Sequence, residues 1–247
     1  MSRLLAVLAS ASLLTGIVQT ASAADMPLKS PPRVTPYSWT GFYIGAHLGG
    51  GWGTSSTVLA AIPTIGLPAG FPLSTTHPRG ILGGGQIGAN WQSDKFVFGV
   101  QGDFSGANLT DTVPCTLLGN PFTCSDKTNW LATVSARLGV VINERFLAYV
   151  KGGAAWEHAK YSLNDPLGVV FPAGSSFSST DTRLGWLVGG GGEYAFTNNW
   201  SVFVEYNYLD FGSRNESSFI PAPVGAIVTG SLTDKIHVVK GGLNYKF

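Results

Sequence analysis

The chain of 247 residues carries 15 Lys and Arg against 14 Asp and Glu, and only 12% of it is charged, where an ordinary soluble domain has about 25%. A formal net charge of +1 gives no general electrostatic pull on nucleic acid or on an anionic surface. Hydrophobic residues make up 44%, yet past the N-terminal leader no apolar run approaches the ~20 residues of a membrane helix, so the apolar side chains must be disposed in another way.

Arg3, the apolar run from Leu4 to Val18 and the small residues Ala21-Ser22-Ala23 have the layout of a secretory signal cleaved after Ala23. Residues 1–23 are set aside on that ground. Arg3 is their only charge, so taking one from 15 leaves 14 basic and 14 acidic residues in the mature chain. Residues 24–38, with Pro27, Pro31, Pro32 and Pro36, read as an extended arm. Residues 39–247 carry the fold.

That body alternates apolar and polar residues with a period of two, the pattern of a half-buried strand. In Gly41–Trp52, Phe42, Ile44, Ala46, Leu48 and Trp52 oppose Tyr43, Gly45, His47, Gly49 and Gly51. Gly80–Trp91 follows, then a tight turn at Gln92–Lys95 and a strand at Phe96–Phe104. Asn129–Val141 and Phe146–Glu157 are joined at Asn143–Arg145. Thr182–Phe196 and Trp200–Asp210 are joined at Thr197–Asn199, and Lys235–Phe247 ends the chain. Between these hairpins lie long polar connections: Gly53–Arg79, Ser105–Thr128, His158–Asp181 and Phe211–Asp234.

Short turns alternating with long polar loops predict an all-β, eight-stranded antiparallel up-and-down transmembrane barrel, with short turns in the periplasm and long loops outside. A hidden hairpin after Trp52 or Phe211 would make it ten strands. A soluble sandwich alternates as well, and aromatic placement separates the two. On an up-and-down trace, Phe42, Trp91, Phe96, Phe146, Phe196 and Trp200 fall at the periplasmic end, while Trp52, Phe104, Trp130, Trp156 and Tyr208 fall at the outer end. Two such girdles mark the two interfaces of a membrane.

The opposite face places Asp103, Arg137, Lys151, Glu157, Arg183, Glu193, Glu205, Lys240 and Lys246 in the lumen. Buried charges persist when paired; Glu157 with Arg183 and Glu205 with Lys240 sit at matching heights, with Lys151 and Arg137 within reach. Eight strands enclose a space that side chains nearly fill, which favours a plugged or narrow barrel. Many lumen positions are glycine, which leaves room for water and equally lets a small barrel bend. Cys115 and Cys124 are the only cysteines; in an exported chain they read as a disulfide stapling a loop. Asp111 and Asp126 beside them make a poor metal set, so no metal is expected. No nucleophile, base and orienting acid converge in the sequence, so the chain is not expected to be an enzyme. His47, His77, His158 and His237 are each solitary.

Tyr37 to Gly53, YSWTGFYIGAHLGGGWG, resembles the first strand of small alphaproteobacterial outer-membrane barrels, the porin-like or outer-membrane-immunogen-like proteins related to OmpA-type eight-stranded barrels. Val204 to Gly212, VEYNYLDFG, resembles the family's penultimate strand. The ending VVKGGLNYKF, with Val239, Leu243, Tyr245 and Phe247 on one face, resembles the signal read by the barrel-assembly machinery. The resemblance implies an outer-membrane, surface-exposed envelope protein. Its expected partners are outer-membrane lipid, lipopolysaccharide and, during biogenesis, the assembly machinery; no cofactor is required. A small-solute porin is the alternative. Loop-mediated binding of a host surface, or of haem through His77 or His158, is a further one.

Overall fold

In the computed structural model the described residues are 37–59, 70–117, 120–165, 175–220 and 226–247. The signal segment and most of the proline-rich arm lie outside them.

The strands are β1 (Gly41–Leu59), β2 (Phe71–Thr76), β3 (Arg79–Ser93), β4 (Phe96–Leu117), β5 (Asn120–Asn143), β6 (Phe146–Asp165), β7 (Ser175–Ala195), β8 (Trp200–Ile220) and β9 (Ala226–Lys246). They form one antiparallel sheet in the order β2-β1-β3-β4-β5-β6-β7-β8-β9, and β1 pairs with β9 to close it. β2 pairs only with the outer end of β1, Ser55–Leu59, on the edge that β3 occupies lower down. It therefore continues β3 beyond a break at His77–Pro78, and setting it aside from the nine strands leaves eight staves around the ring.

Alternation explains each stave. Phe42, Ile44, Leu48, Ile81, Ile87, Val100, Val134, Val150, Val188, Val204 and Val239 are all exposed, as side chains facing lipid must be. The residues between them turn inward. At the periplasmic end the connections are tight: Asp94, with φ 51°, turns β3 into β4 where Ser93 pairs with Phe96.

The aromatic girdles occupy this lipid face. Phe42, Trp91, Phe96, Phe196 and Trp200 are exposed at the periplasmic end, with Phe146 half-buried beside them. At the outer end Trp52 and Phe104 are exposed and Trp130, Trp156 and Tyr208 half-buried. Trp52 stacks on His237 at 5.6 Å, and the Tyr206 hydroxyl lies 2.6 Å from His237 Nδ1. The assembly-signal residues Val239, Leu243, Tyr245 and Phe247 face the same way, with Tyr245 between Trp200 (5.1 Å) and Phe247 (5.2 Å).

Three of the connections expected to be long loops are, for most of their length, continued ladder. β4 and β5 stay paired from Leu109↔Thr128 to Leu117↔Asn120, β6 and β7 out to Asp165↔Ser175, and β8 and β9 out to Ile220↔Ala226. Above the membrane both sheet faces meet water or other polar groups, so apolar alternation stops although backbone pairing does not. The register shifts at Gly106/Leu109, Thr128/Trp130 and Asp210/Ser213 fall where β4, β5 and β8 leave the outer girdle, as bulges do at barrel rims. Gly212, with φ +66°, supplies the left-handed residue in the last of them.

At Gly84 and Gly153 in the lumen the neighbouring strand comes too close for a side chain. A Cβ at Gly84 would collide with the Phe104 carbonyl oxygen, and one at Gly153 with that of Val134. Gly84→Ala should destabilise the refolded barrel by about 1–3 kcal/mol, read as a lower denaturant midpoint. The lipid-facing Gly102→Ala, whose nearest neighbour is the Thr133 oxygen at 3.9 Å, should leave it unchanged. Equal midpoints for the two variants would show that close strand approach at Gly84 carries no weight.

Candidate functional site: the lumen

Inward side chains stack in layers from the periplasmic mouth outward. At the mouth Trp39 (2% exposed) and Tyr37 fold in over Val97, Leu147 and Ala195. The Trp39 amide donates to Gln92 Oε1 at 2.8 Å, and the two rings meet edge to face at 4.8 Å. Lys246 belongs here and not to the interior charge set. It is half-buried, donates to the Ser38 carbonyl and sits 4.2 Å from the Tyr37 ring centroid, because the last residues of β9 reach the rim.

Next comes an arginine layer. Arg137 donates to Glu193 at 2.8 Å and to the Tyr43 hydroxyl at 3.2 Å, with its guanidinium 3.9 Å from the Tyr149 ring centroid. Glu193 also accepts from Ser201 (2.6 Å) and Asn244 (2.8 Å). Tyr43 donates to Gln101 and Gln86 to Asn244. These polar side chains come from strands around the ring.

Above it lies a compact ionic group. Glu205 accepts from Lys151 at 2.7 Å, Tyr149 and Asn207 at 2.9 Å, and lies 3.2 Å from Lys240. Lys240 reaches Asp103 at 3.0 Å, and Lys151 is 3.9 Å from it. Thr133 donates to Asp103 at 2.5 Å, and His47 Nε2 lies 2.7 Å from Ser105 Oγ. The Glu205–Lys240 pair aligned in the sequence is thus one edge of a larger group, while Arg137 is engaged with Glu193 instead.

An apolar belt follows: Leu82, Leu109, Leu131, Ala155, Leu187, Leu209, Phe211, Ile236 and Val238. Sequence reasoning missed it by treating the inward face as polar throughout. The signal was present, because these leucines occupy inward positions of the alternation, next to outward Ile81, Trp130, Val188, Tyr208 and Val239. Between belt and ionic group lies a cavity of about 20 Å³, lined by Leu82, Asp103, Leu187, Val238 and Lys240 among others. That is room for about one water.

The outermost layer departs from the pairing read from the sequence. Glu157 and Arg183 are register partners, but Arg183 binds Asp234 and approaches Asp181 at 3.6 Å. Asp234 also accepts from Tyr161 at 2.8 Å, Glu157 accepts from Thr128 at 2.8 Å, and Asp126 from Thr76 at 3.3 Å. Opposed partners in a ladder can diverge when a long arginine finds a better-placed carboxylate across the mouth. Asp126 lies beyond the outer girdle; burial first and the Asp234 carboxylate second push its carboxyl up from 3.8 to about 7.

Cys115 and Cys124 are bonded, with Cα atoms 5.9 Å apart. They sit on β4 and β5 within continued ladder, where Val113 faces Cys124 and Cys115 faces Phe122, so the bridge ties two strands and not a loop. His77 and His158 are engaged separately: His77 Nδ1 lies 3.4 Å from Thr54, while His158 stacks on Trp130 at 5.2 Å with Nδ1 2.9 Å from Thr182. Among the described residues no three His, Cys, Asp or Glu gather as a metal site.

A family model described as outer membrane protein beta-barrel domain matches residues 9–247. The 31 kDa outer-membrane immunogenic protein of Brucella melitensis is 34% identical over 247 residues, covering 96% of this chain and 98% of that protein. The 25 kDa outer-membrane immunogenic protein of Brucella abortus is 30% identical over 250 residues, covering 98% and 97%. A 22 kDa outer membrane protein of Rhizobium leguminosarum is 30% identical over 182 residues, covering 72% and 67%. Among solved structures, outer membrane protein OprG of Pseudomonas aeruginosa has a TM-score of 0.49 at 13% identity, covering 84% of this chain and 96% of that one.

Two outcomes test this interior. Glu205→Ala leaves Lys151 and Lys240 buried with Asp103 alone and should cost about 3–5 kcal/mol in urea unfolding of the vesicle-embedded barrel; a loss under about 1 kcal/mol would mean the group is hydrated. The raised Asp126 carboxyl makes the folded state bind this proton more tightly than the unfolded chain. Its stabilisation is full below 3.8 and is lost as pH rises through about 7. Asp126→Asn should therefore flatten the fall in unfolding midpoint between pH 5 and pH 8, and a slope identical to the parent's would refute the assignment.

Proposed function

The chain belongs to the outer membrane protein β-barrel family and resides in the outer membrane of a Gram-negative bacterium, and from that premise we propose that it is a closed, non-enzymatic envelope barrel that spans the membrane as a scaffold and presents its outer hairpins at the cell surface. The observation that carries this reading is the filled lumen. Trp39 and Tyr37 stop the periplasmic mouth, paired charges fill the middle, and the leucine belt lies beneath the outer layer. Water and ions crossing such a barrel would have to part ionic contacts and an apolar constriction in series.

The extended hairpins support the surface role. β4–β5, β6–β7 and β8–β9 carry paired backbone well past the outer girdle, so their ladders stand clear of the apolar band. The relatives are named immunogenic outer-membrane proteins, which accords with exposure of the corresponding segments.

Planar-bilayer recording of the refolded mature chain tests the closed lumen. Folded barrels should give no steady openings, and the double variant Trp39→Ala/Leu109→Ala should give measurable leak. Steady openings from the parent, altered by Lys240→Ala, would make the chain a small-solute porin instead.

A further inference from the structure

The outward face of the sheet carries cations that the interior does not use. Lys127 on β5 and Lys160 on β6 are direct partners in the ladder, and both are exposed. Opposed residues in an antiparallel pair have Cβ atoms about 5 Å apart, and like charges there are destabilising. Among the described residues neither lysine makes an ion pair. The neighbouring carboxylates, Asp126 and Glu157, are turned into the lumen at 4% and 2% exposure.

The pair belongs to a longer row. Register partners run Arg79↔Thr110 across β3–β4, Thr110↔Lys127 across β4–β5, Lys127↔Lys160 across β5–β6 and Lys160↔Thr180 across β6–β7. All five are exposed. The row thus offers ammonium, guanidinium and hydroxyl groups with no carboxylate among them. Arg79 also borders an open groove of about 400 Å³ shared with Trp52, Thr54, His77 and Asp111.

Depth selects the ligand. Lys127 is three residues beyond the girdle residue Trp130, and Lys160 is four beyond Trp156. At roughly 3.3 Å per residue and a tilt near 40°, that places them about 8–10 Å outside the rings. This is past the hydrocarbon edge, among the lipid headgroups of the outer leaflet.

We propose that this row is a binding site for the phosphorylated glycolipid of the outer leaflet, lipopolysaccharide. Lys127 and Lys160 hold one phosphate between them. Thr110 and Thr180 flank it with hydroxyl donors. Arg79, two strands from Lys127 and so about 10 Å away, takes a second phosphate through its planar fork. An anion between the two lysines turns their mutual repulsion into a bridged contact. The need for separated phosphates favours a diphosphorylated glycolipid over a phospholipid bearing one phosphate. The site lies on the barrel's exterior and is independent of whether the lumen conducts.

The test uses the full mature chain refolded in phosphatidylcholine vesicles, alone or with diphosphoryl lipid A, monophosphoryl lipid A or phosphatidylglycerol at matched charge. Diphosphoryl lipid A should raise the denaturant midpoint of the parent, with a smaller rise from either of the other two lipids. Lys127→Gln/Lys160→Gln should lose at least half of that rise, while in phosphatidylcholine alone it should be no less stable than the parent because the repulsion is gone. Arg79→Gln should abolish the difference between the two lipid A forms. Lys235→Gln, an exposed outer lysine outside the row, should keep the full rise. A full rise in the double variant, or an equal rise of the parent with phosphatidylglycerol, would overturn the proposal. If the double variant fails to refold, Lys160→Gln alone decides it by the same comparison.

Discussion

Pairing of β1 with β9, from Tyr43↔Lys246 to Leu59↔Gly230, satisfies the constraint on which the other features depend. In hydrocarbon a peptide N–H or C=O has no water to turn to, so a sheet crossing the membrane must leave no open edge within it. Closure with eight staves then sets a narrow bore and a strong tilt. The outward positions must suit lipid, and the inward positions must suit one another.

The interior meets that demand by local neutrality. Arg137 faces Glu193, and Lys151 and Lys240 face Asp103 and Glu205, so cations and carboxylates balance within the membrane-spanning layers. Hydroxyls and amides from Tyr43, Tyr149, Asn207, Asn244 and Ser201 fill much of the remaining bonding capacity. Beyond the outer girdle the balance changes. Asp126, Glu157 and Asp234 share a layer with Arg183, and burial together with the Asp234 carboxylate raises the Asp126 carboxyl there. The leucine belt separates these regimes. Outside, the same change of environment appears as a succession of apolar residues, aromatic rings and then the exposed cations beyond them.

The alternation of Phe42 to Trp52, Trp130 to Val140 and Trp200 to Tyr208 made eight staves, their facing and both girdles legible in the sequence, because one face had to meet lipid and the other could not. The interior charges were legible for the same reason, and all but Lys246 are buried. Their pairing was only partly so. Glu205–Lys240 follows from cross-strand register, but Arg137–Glu193 and Arg183–Asp234 join side chains from strands that are not neighbours. Above the girdle, polar residues on both faces erased the periodicity, so long hairpins read as loops.

The sequence by itself therefore determined the compartment, the barrel and the side each residue faces, since these depend on a period of two and on the thickness of a membrane. Only the tertiary structure decided what fills the lumen. Closing the ring brings Leu82 of β3, Leu109 of β4, Leu187 of β7 and Glu205 of β8 into one bore, and contacts across it depend on tilt and coiling, which no stretch of sequence encodes alone. The row from Arg79 to Lys160 is likewise a product of register. Its members lie far apart along the chain and become neighbours because β3, β4, β5 and β6 pair where they do.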